Sequence, residues 1–207
     1  AQISSMAVII ELNRLATLPS LIAVPLFTFA GYVLAESKAP QRLIGLAEAA
    51  CGWMPGGVAI AGLLACALFT SFTGASGVTI IALGGLIHPL LRRQKYPEDF
   101  ALGLITTTGS LGLLFPPSLP VILYALVGKV SLDRLFAAAL IPGILLLALL
   151  SVYAVVIAAK YKVPRVPFRG ATLAAALKAA ALEIPLPILI VGGIYTGKFT
   201  ASEAAAV

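Results

Sequence analysis

The chain is 207 residues long, 60% hydrophobic and only 11% charged, with a mean hydropathy of +1.06. Soluble domains carry about 25% charged residues, so the composition excludes an ordinary soluble domain and makes lipid the solvent for most of the chain. The net charge of +6 does not point to nucleic acid, because the 14 basic residues fall between apolar runs rather than on one soluble face.

Stretches without Asp, Glu, Lys or Arg cover 15–35, 49–91, 100–128, 135–159 and 184–197. A membrane-crossing helix needs about 20 mostly apolar residues. In chain order, residues 1–14 hold a partial apolar segment ending at Glu11 and Arg14. Leu15 to Ala35 reads as the first span, with Pro25 near its middle; neighbouring helices can make good the lost hydrogen bond. Ala39 to Trp53 reads either as an interfacial helix along the cytoplasmic surface or as a plain connector. Pro40 suits its first turn.

Pro55-Gly56-Gly57 should break that helix. Val58 to Ser71 and Ser76 to Leu91 then run apolar, with Thr73-Gly74-Ala75-Ser76-Gly77 between them and Arg92-Arg93 at the end. Each arm is about 15 residues, or roughly 22 Å of helix, short of a crossing of about 30 Å. A re-entrant hairpin over 55–93 therefore fits better than two full spans. The region 97–128 should be a broken helix: 98–108 helical, an unwound stretch, then 118–127 helical. Pro116, Pro117 and Pro120 disfavour helix before them, and Gly109 and Gly112 add freedom. Ser131 and Asp133 are candidate caps for a span from Leu135 to Ala159. A basic loop, 160–170, an Ala-rich segment around Lys178 and a last span, 184–197, follow.

Letting single runs cross once and the long run return, most basic residues fall on one side. Only Arg14, Lys129, Arg134 and Lys198 fall on the other. Basic loops stay cytoplasmic, which places 36–54, 92–97 and 160–180 in the cytoplasm. Cys51 and Cys66 read as small buried hydrophobes. Nothing in the first residues resembles a cleavable leader, and a chain that begins with Ala1 is expected to be an excerpt of a longer protein.

Non-helical backbone survives at membrane depth only when buried in protein or lining a wet cavity. The irregular segments expected at 71–77 and 109–118 therefore point to binding. Freed carbonyls and hydroxyls coordinate a cation, and a helix N-terminus faces an anion. Ser71, Thr73, Ser76 and Thr79, with Thr106 to Ser110 and Ser118, supply hard oxygens. The helix starting near Ser76 offers a seat for a carboxylate. The bland alternative is that these small residues only permit close packing.

Gly74-Ala75-Ser76-Gly77 also resembles the GxSG nucleophile motif of rhomboid-type intramembrane proteases. Ser76 would then need a base, and His88, the single histidine, lies about 18 Å along the same expected helix. Within this chain the dyad does not form, and His88 reads as an interfacial residue.

Four stretches together resemble the large membrane subunit of tripartite ATP-independent periplasmic (TRAP) transporters, the DctM-like group. They are Leu21 to Phe27 with Ala30-Gly31; Gly56-Gly57 on to Phe69 and Thr73 to Ser76; Gly109 through Pro116-Pro117-Ser118 to Tyr124; and Gly192 to Gly197 with Phe199-Thr200 and Glu203 to Ala205. The resemblance implies an all-α, multi-span bundle in the bacterial inner membrane, about one inverted repeat of an elevator-type, sodium-coupled importer of small organic acids. It also implies a periplasmic binding protein and a small membrane subunit as partners. Thr73, Gly74, Ser76, Gly109, Gly112 and Pro116 would ligate the co-transported Na+. Ser71, Ser76, Thr79, Thr108, Ser110 and Ser118 would contact substrate.

Residues 1–54 would be a scaffold span with its arm helix, 55–128 half of a transport domain, and 129–207 a scaffold span, the basic loop and the start of a second repeat. Many relatives carry Ser-Gly-Ser-Ser where this chain has Thr-Gly-Ala-Ser, so Ala75 offers no side-chain ligand. With its counterpart hairpin beyond Val207, this stretch alone should not transport. A dicarboxylate or citrate symporter without a binding protein is the nearest alternative.

Overall fold

The computed structural model describes residues 5–16, 19–73, 76–164, 167, 169–196, 198–200 and 203. All regular structure among them is helical: α1 (Ser5–Ala16), α2 (Pro19–Glu36), α3 (Ala39–Cys51), α4 (Gly57–Thr73), α5 (Ser76–Arg93), α6 (Glu98–Leu111), α7 (Leu119–Gly128), α8 (Leu132–Lys160), α9 (Gly170–Ala179) and α10 (Pro185–Tyr195). A 3₁₀ turn, Gly112–Leu114, follows α6 directly.

α4 is the hub. It packs against α2, α3, α5, α6, α8 and the 3₁₀ turn. Its small and apolar residues allow this, since Ala59, Leu63, Ala65, Cys66 and Phe69 are all buried. They meet Leu83, Ile87 and Leu91 of α5, Phe100, Leu104 and Ile105 of α6, and Ala154 and Ala158 of α8 in one core. A second core joins Ala23 and Phe27 of α2, Leu119 and Ile122 of α7, Phe136 of α8 and Ile190 of α10. Gly56, at φ +81°, closes the α3–α4 turn against α8. A Cβ there would lie 3.1 Å from the backbone carbonyl of Ala154, and the left-handed conformation itself favours glycine.

α8 is 29 residues long, or roughly 44 Å at 1.5 Å per residue, enough to cross a hydrocarbon core of about 30 Å. Only 11% of its most apolar window is buried. Ile141, Ile144, Leu145, Leu149, Val152 and Val156 face outward, as a lipid-facing helix requires. α6 with its 3₁₀ turn and α7 form a pair bent by 41° that together passes for one broken span. α4 and α5 have 17 and 18 residues, about 26 and 27 Å of helix.

Several expected boundaries move. α8 starts at Leu132 rather than Leu135; Ser131 is its N-cap residue but makes no side-chain cap bond. α6 runs through Gly109 and Ser110 to Leu111, so the irregular stretch narrows from 109–118 to 112–118. Thr106 donates to the carbonyls of Leu102 and Gly103, and Thr108 to that of Ile105, which satisfies them inside a helix. The hairpin tip narrows likewise. α4 continues through Ser71 to Thr73 and α5 begins at Ser76, while Gly74 and Ala75 lie outside the described residues. The Ser71 hydroxyl bonds back to Leu68 O at 2.6 Å.

Candidate functional site

The last turn of α4 and the first turn of α5 place three threonines side by side. Thr70 Oγ1 donates to Thr79 Oγ1 at 2.9 Å, and Thr73 and Thr79 hydroxyls share a bond of 3.1 Å. All three are buried. Thr70 and Thr73 stand one helical turn apart on the same face, so both reach the single residue on the facing helix. Buried hydroxyls must find partners, and here they find one another inside an otherwise apolar bundle.

The broken helix closes on this cluster. Gly112 opens the 3₁₀ turn, and a Cβ on it would lie 2.2 Å from Thr70 Cβ and 2.8 Å from Ala67 O. The backbone of one break thus lies directly on the helix that carries the other. Beyond the turn, Phe115 is extended, and Pro116, Pro117 and Ser118 are buried. The peptide between Pro116 and Pro117 is cis. Ser118, the N-cap residue of α7, makes no side-chain cap bond, and its buried Oγ has no hydrogen-bond partner among the described residues.

The structure therefore brings together Thr73, Thr79 and Gly112 among the candidate ligands and contacts. It also buries Thr108, Gly109, Pro116 and Ser118 in the same region of chain. Thr108 is engaged with its own helix, and Ser71 is buried and self-satisfied. Ser110 is exposed and stands apart from the cluster as a contact from inside the bundle. Ser76 begins α5; its side chain and Gly74 fall outside what is described. The residue the sequence reading passed over is Thr70. Its signal was available: it lies one turn before Thr73 in a segment that had already drawn attention.

His88 lies on the same continuous helix as Ser76, about 18 Å of axial rise away, so the serine–histidine dyad does not form within this chain. His88 is half-buried, and its Nε2 is enclosed with no hydrogen-bond partner among the described residues. Cys66 is buried, whereas Cys51 is only half-buried.

The geometry is that of a helical bundle with one apolar helix long enough to cross a membrane and a bent helix pair, whose break meets the α4–α5 junction at a buried hydroxyl cluster. Residues 6–207 match the family model described as "Tripartite ATP-independent periplasmic transporter, DctM component", and the chain belongs to that family. It is 38% identical over 197 residues to the C4-dicarboxylate TRAP transporter large permease protein DctM of Vibrio cholerae, covering 94% of this chain and 43% of that protein. It is 38% identical over 190 residues to the protein of the same name in Pseudomonas aeruginosa, with coverage of 91% and 44%. It is 37% identical over 188 residues to the ectoine/5-hydroxyectoine TRAP transporter large permease protein UehC of Ruegeria pomeroyi, with coverage of 90% and 44%. The chain thus spans less than half the length of these curated relatives. Members of this family are permease subunits embedded in a membrane.

Proposed function

We propose that the chain is part of the large permease subunit of a sodium-coupled importer of small organic acids in the bacterial inner membrane. A periplasmic binding protein hands over the substrate, and a small membrane subunit completes the permease. The observation that carries this is the contact of the Gly112 turn with Thr70, beside the Thr70–Thr79–Thr73 hydroxyl cluster.

Sodium exchanges its water shell for hard oxygens. Threonine hydroxyls and the backbone carbonyls at the end of α6 are such oxygens, and Thr70, Thr73, Thr79 and Gly112 are already buried. Thr73 with Gly74 and Ser76 would supply the hairpin side of the site, and Gly109, Gly112 and Pro116 the other. Gly109 contributes from within α6, where its carbonyl precedes the break. Ser76, at the start of α5, brings the positive end of a helix dipole, which suits a substrate carboxylate. Ser118 adds a buried hydroxyl with no other engagement. Ser71, Thr79, Thr108 and Ser110 complete the candidate substrate contacts; Ser71 and Thr108 would have to give up their present bonds.

α4 and α5, at 17 and 18 residues, are longer than the arms read from the sequence and approach a crossing of about 30 Å, so the re-entrant reading rests on the contact of the tip with the Gly112 turn. Hairpin and broken helix would then move as one body past the scaffold, an elevator. Relatives are named for C4-dicarboxylate, sialic acid and 2,3-diketo-L-gulonate transport, which supports an organic acid and leaves the particular acid to be measured.

The test is uptake by the full-length permease, reconstituted with its small subunit and binding protein, under a sodium gradient and with sodium replaced by choline. Uptake that depends on sodium, with Thr73→Val raising the half-saturating sodium concentration at least about tenfold, is the expected result. Equal uptake in choline would overturn the sodium-coupled reading.

A further inference from the structure

α3 and α9 flank a groove of about 910 Å³ that the transport chemistry does not use. It lies at the basic end of the bundle. α3 follows the end of α2, and α9 follows the end of α8 at Lys160. α3 also borders Arg93 at the end of α5 across a second, smaller hollow. Clustered basic residues mark the cytoplasmic side, so the groove opens at the cytoplasmic membrane surface.

Its lining has two chemistries. Lys38, Arg42 and Arg169 supply positive charge, while Ala49 of α3 and Ala175 and Ala179 of α9 supply a smooth apolar wall. Arg42 is already neutralised, since its Nη1 donates to Glu183 Oε1 at 2.8 Å. Lys38 and Arg169 are exposed, and neither has an ion-pair partner among the described residues. Glu48, the acidic residue on the lining, offsets only one of them. Trp53 stands at the rim, half exposed, with its indole N–H bonded to Ala50 O at 2.9 Å. Tryptophan in that posture is characteristic of the headgroup level.

We propose that this groove binds an anionic phospholipid of the cytoplasmic leaflet. Lys38 and Arg169 hold the headgroup phosphate and its charge, and the first part of an acyl chain lies along the alanine wall. Basic pockets between helices on that side of a membrane suit anionic headgroups. The volume lies within the range of ligand sites, about 300–1,000 Å³. Charge complementarity favours a lipid over a further helix of the same protein, because a lipid brings a phosphate to two unpaired cations and a tail to an apolar wall at once.

The test uses the full-length permease with its membrane partner in phosphatidylcholine nanodiscs. These are doped with phosphatidylglycerol carrying a photoreactive diazirine in one acyl chain, or with the matching phosphatidylcholine probe. Peptides of α3 and α9 are then mapped by mass spectrometry. Phosphatidylglycerol should label them at least about fivefold more than phosphatidylcholine. A Lys38→Gln/Arg169→Gln double variant should fall to the phosphatidylcholine level, and Glu48→Gln should label more strongly than wild type. Both cationic side chains are exposed, so the double variant leaves the packing alone, and elution as the intact complex checks this. Equal labelling by the two probes, unchanged labelling in the double variant, or protection of these peptides by protein from the rest of the permease would each overturn the proposal.

Discussion

Gly112→Ala isolates the contact between the two broken elements. Gly112 has φ −63° and ψ −17°, a conformation alanine adopts freely, so any penalty comes from packing and not from the backbone. The added Cβ would lie 2.2 Å from Thr70 Cβ, 2.8 Å from Ala67 O and 3.0 Å from Thr70 Cγ2. Carbon atoms rest about 3.5–4.0 Å apart, so the turn must retreat from α4 by about 1.3 Å. Rotating Thr70 does not help, because the nearest atoms are its Cβ and a backbone oxygen. Overpacking of this kind costs about 1–3 kcal/mol, of which alanine's entropic advantage over glycine returns about 0.4–1 kcal/mol. The function should suffer more than the fold, since a 1 Å misplacement at a reacting or binding centre can cost about 100-fold. Gly103→Ala is the control: it lies on α6, the helix that leads into the turn, with nothing within 4 Å of its added Cβ. Apparent melting temperature and initial uptake rate of the full-length permease are measured for both. Gly112→Ala should melt lower and lose uptake by about two orders of magnitude, and Gly103→Ala should match or exceed wild-type stability. Wild-type uptake in Gly112→Ala would refute the argument that this close approach positions the site.

Thr79→Val keeps the side-chain shape and removes the hydroxyl that Thr70 and Thr73 share. Two buried hydroxyls lose a partner, which should cost about 1–3 kcal/mol in denaturation measurements. Tyr96 offers the opposite case: its phenol oxygen is buried without a hydrogen-bond partner among the described residues, so Tyr96→Phe should leave stability unchanged or raise it by about 1 kcal/mol. Burial pushes that phenol up to about 12. The unfolded chain releases the proton near pH 10 while the folded chain keeps it, so this group's contribution to stability falls as pH rises from about 10 to 12. Unfolding followed across that window should lose this component of its pH dependence in Tyr96→Phe. The Arg42–Glu183 pair should respond asymmetrically, because Arg42 is 39% exposed and Glu183 only 9%. Arg42→Ala strands a buried carboxylate and should lower stability by about 1–3 kcal/mol, whereas Glu183→Gln leaves a cation that water can reach and should cost less.

The order of the helices was legible because apolar runs and charged punctuation alternate along the chain, and lipid enforces that pattern. The break before α7 was legible for a local reason: consecutive prolines lack N–H donors whatever surrounds them. The end of α6 was not. Gly109 read as a point of freedom that would end the helix at 108, yet it is buried within α6, which continues to Leu111, and tertiary packing makes that choice. Thr70 was passed over because it follows Phe69 at the end of an apolar run, and its role depends on Thr79 facing it across a turn. The Arg42–Glu183 bridge joins positions 141 residues apart, and no local pattern announces it.

The two cores give the break at 112–118 a mechanical meaning. α6 belongs to the core built on α4 and α5, whereas α7 belongs to the core shared with α2, α8 and α10. The broken helix therefore passes from one core to the other at Pro116 and Pro117. On its α4 side the contact is a close fit of backbone against side chain, with no space for a methyl group at Gly112. On its α2 side Leu119 and Ile122 meet Ala23 and Phe27, a contact of apolar side chains that is not directional. Interlocked packing resists displacement, while smooth apolar surfaces can slide. In the elevator reading proposed above, the hairpin and the 3₁₀ turn would travel together because they interlock, and movement would have to exchange not only the α2–α7 contacts but also those that α4 makes with α2, α3 and α8.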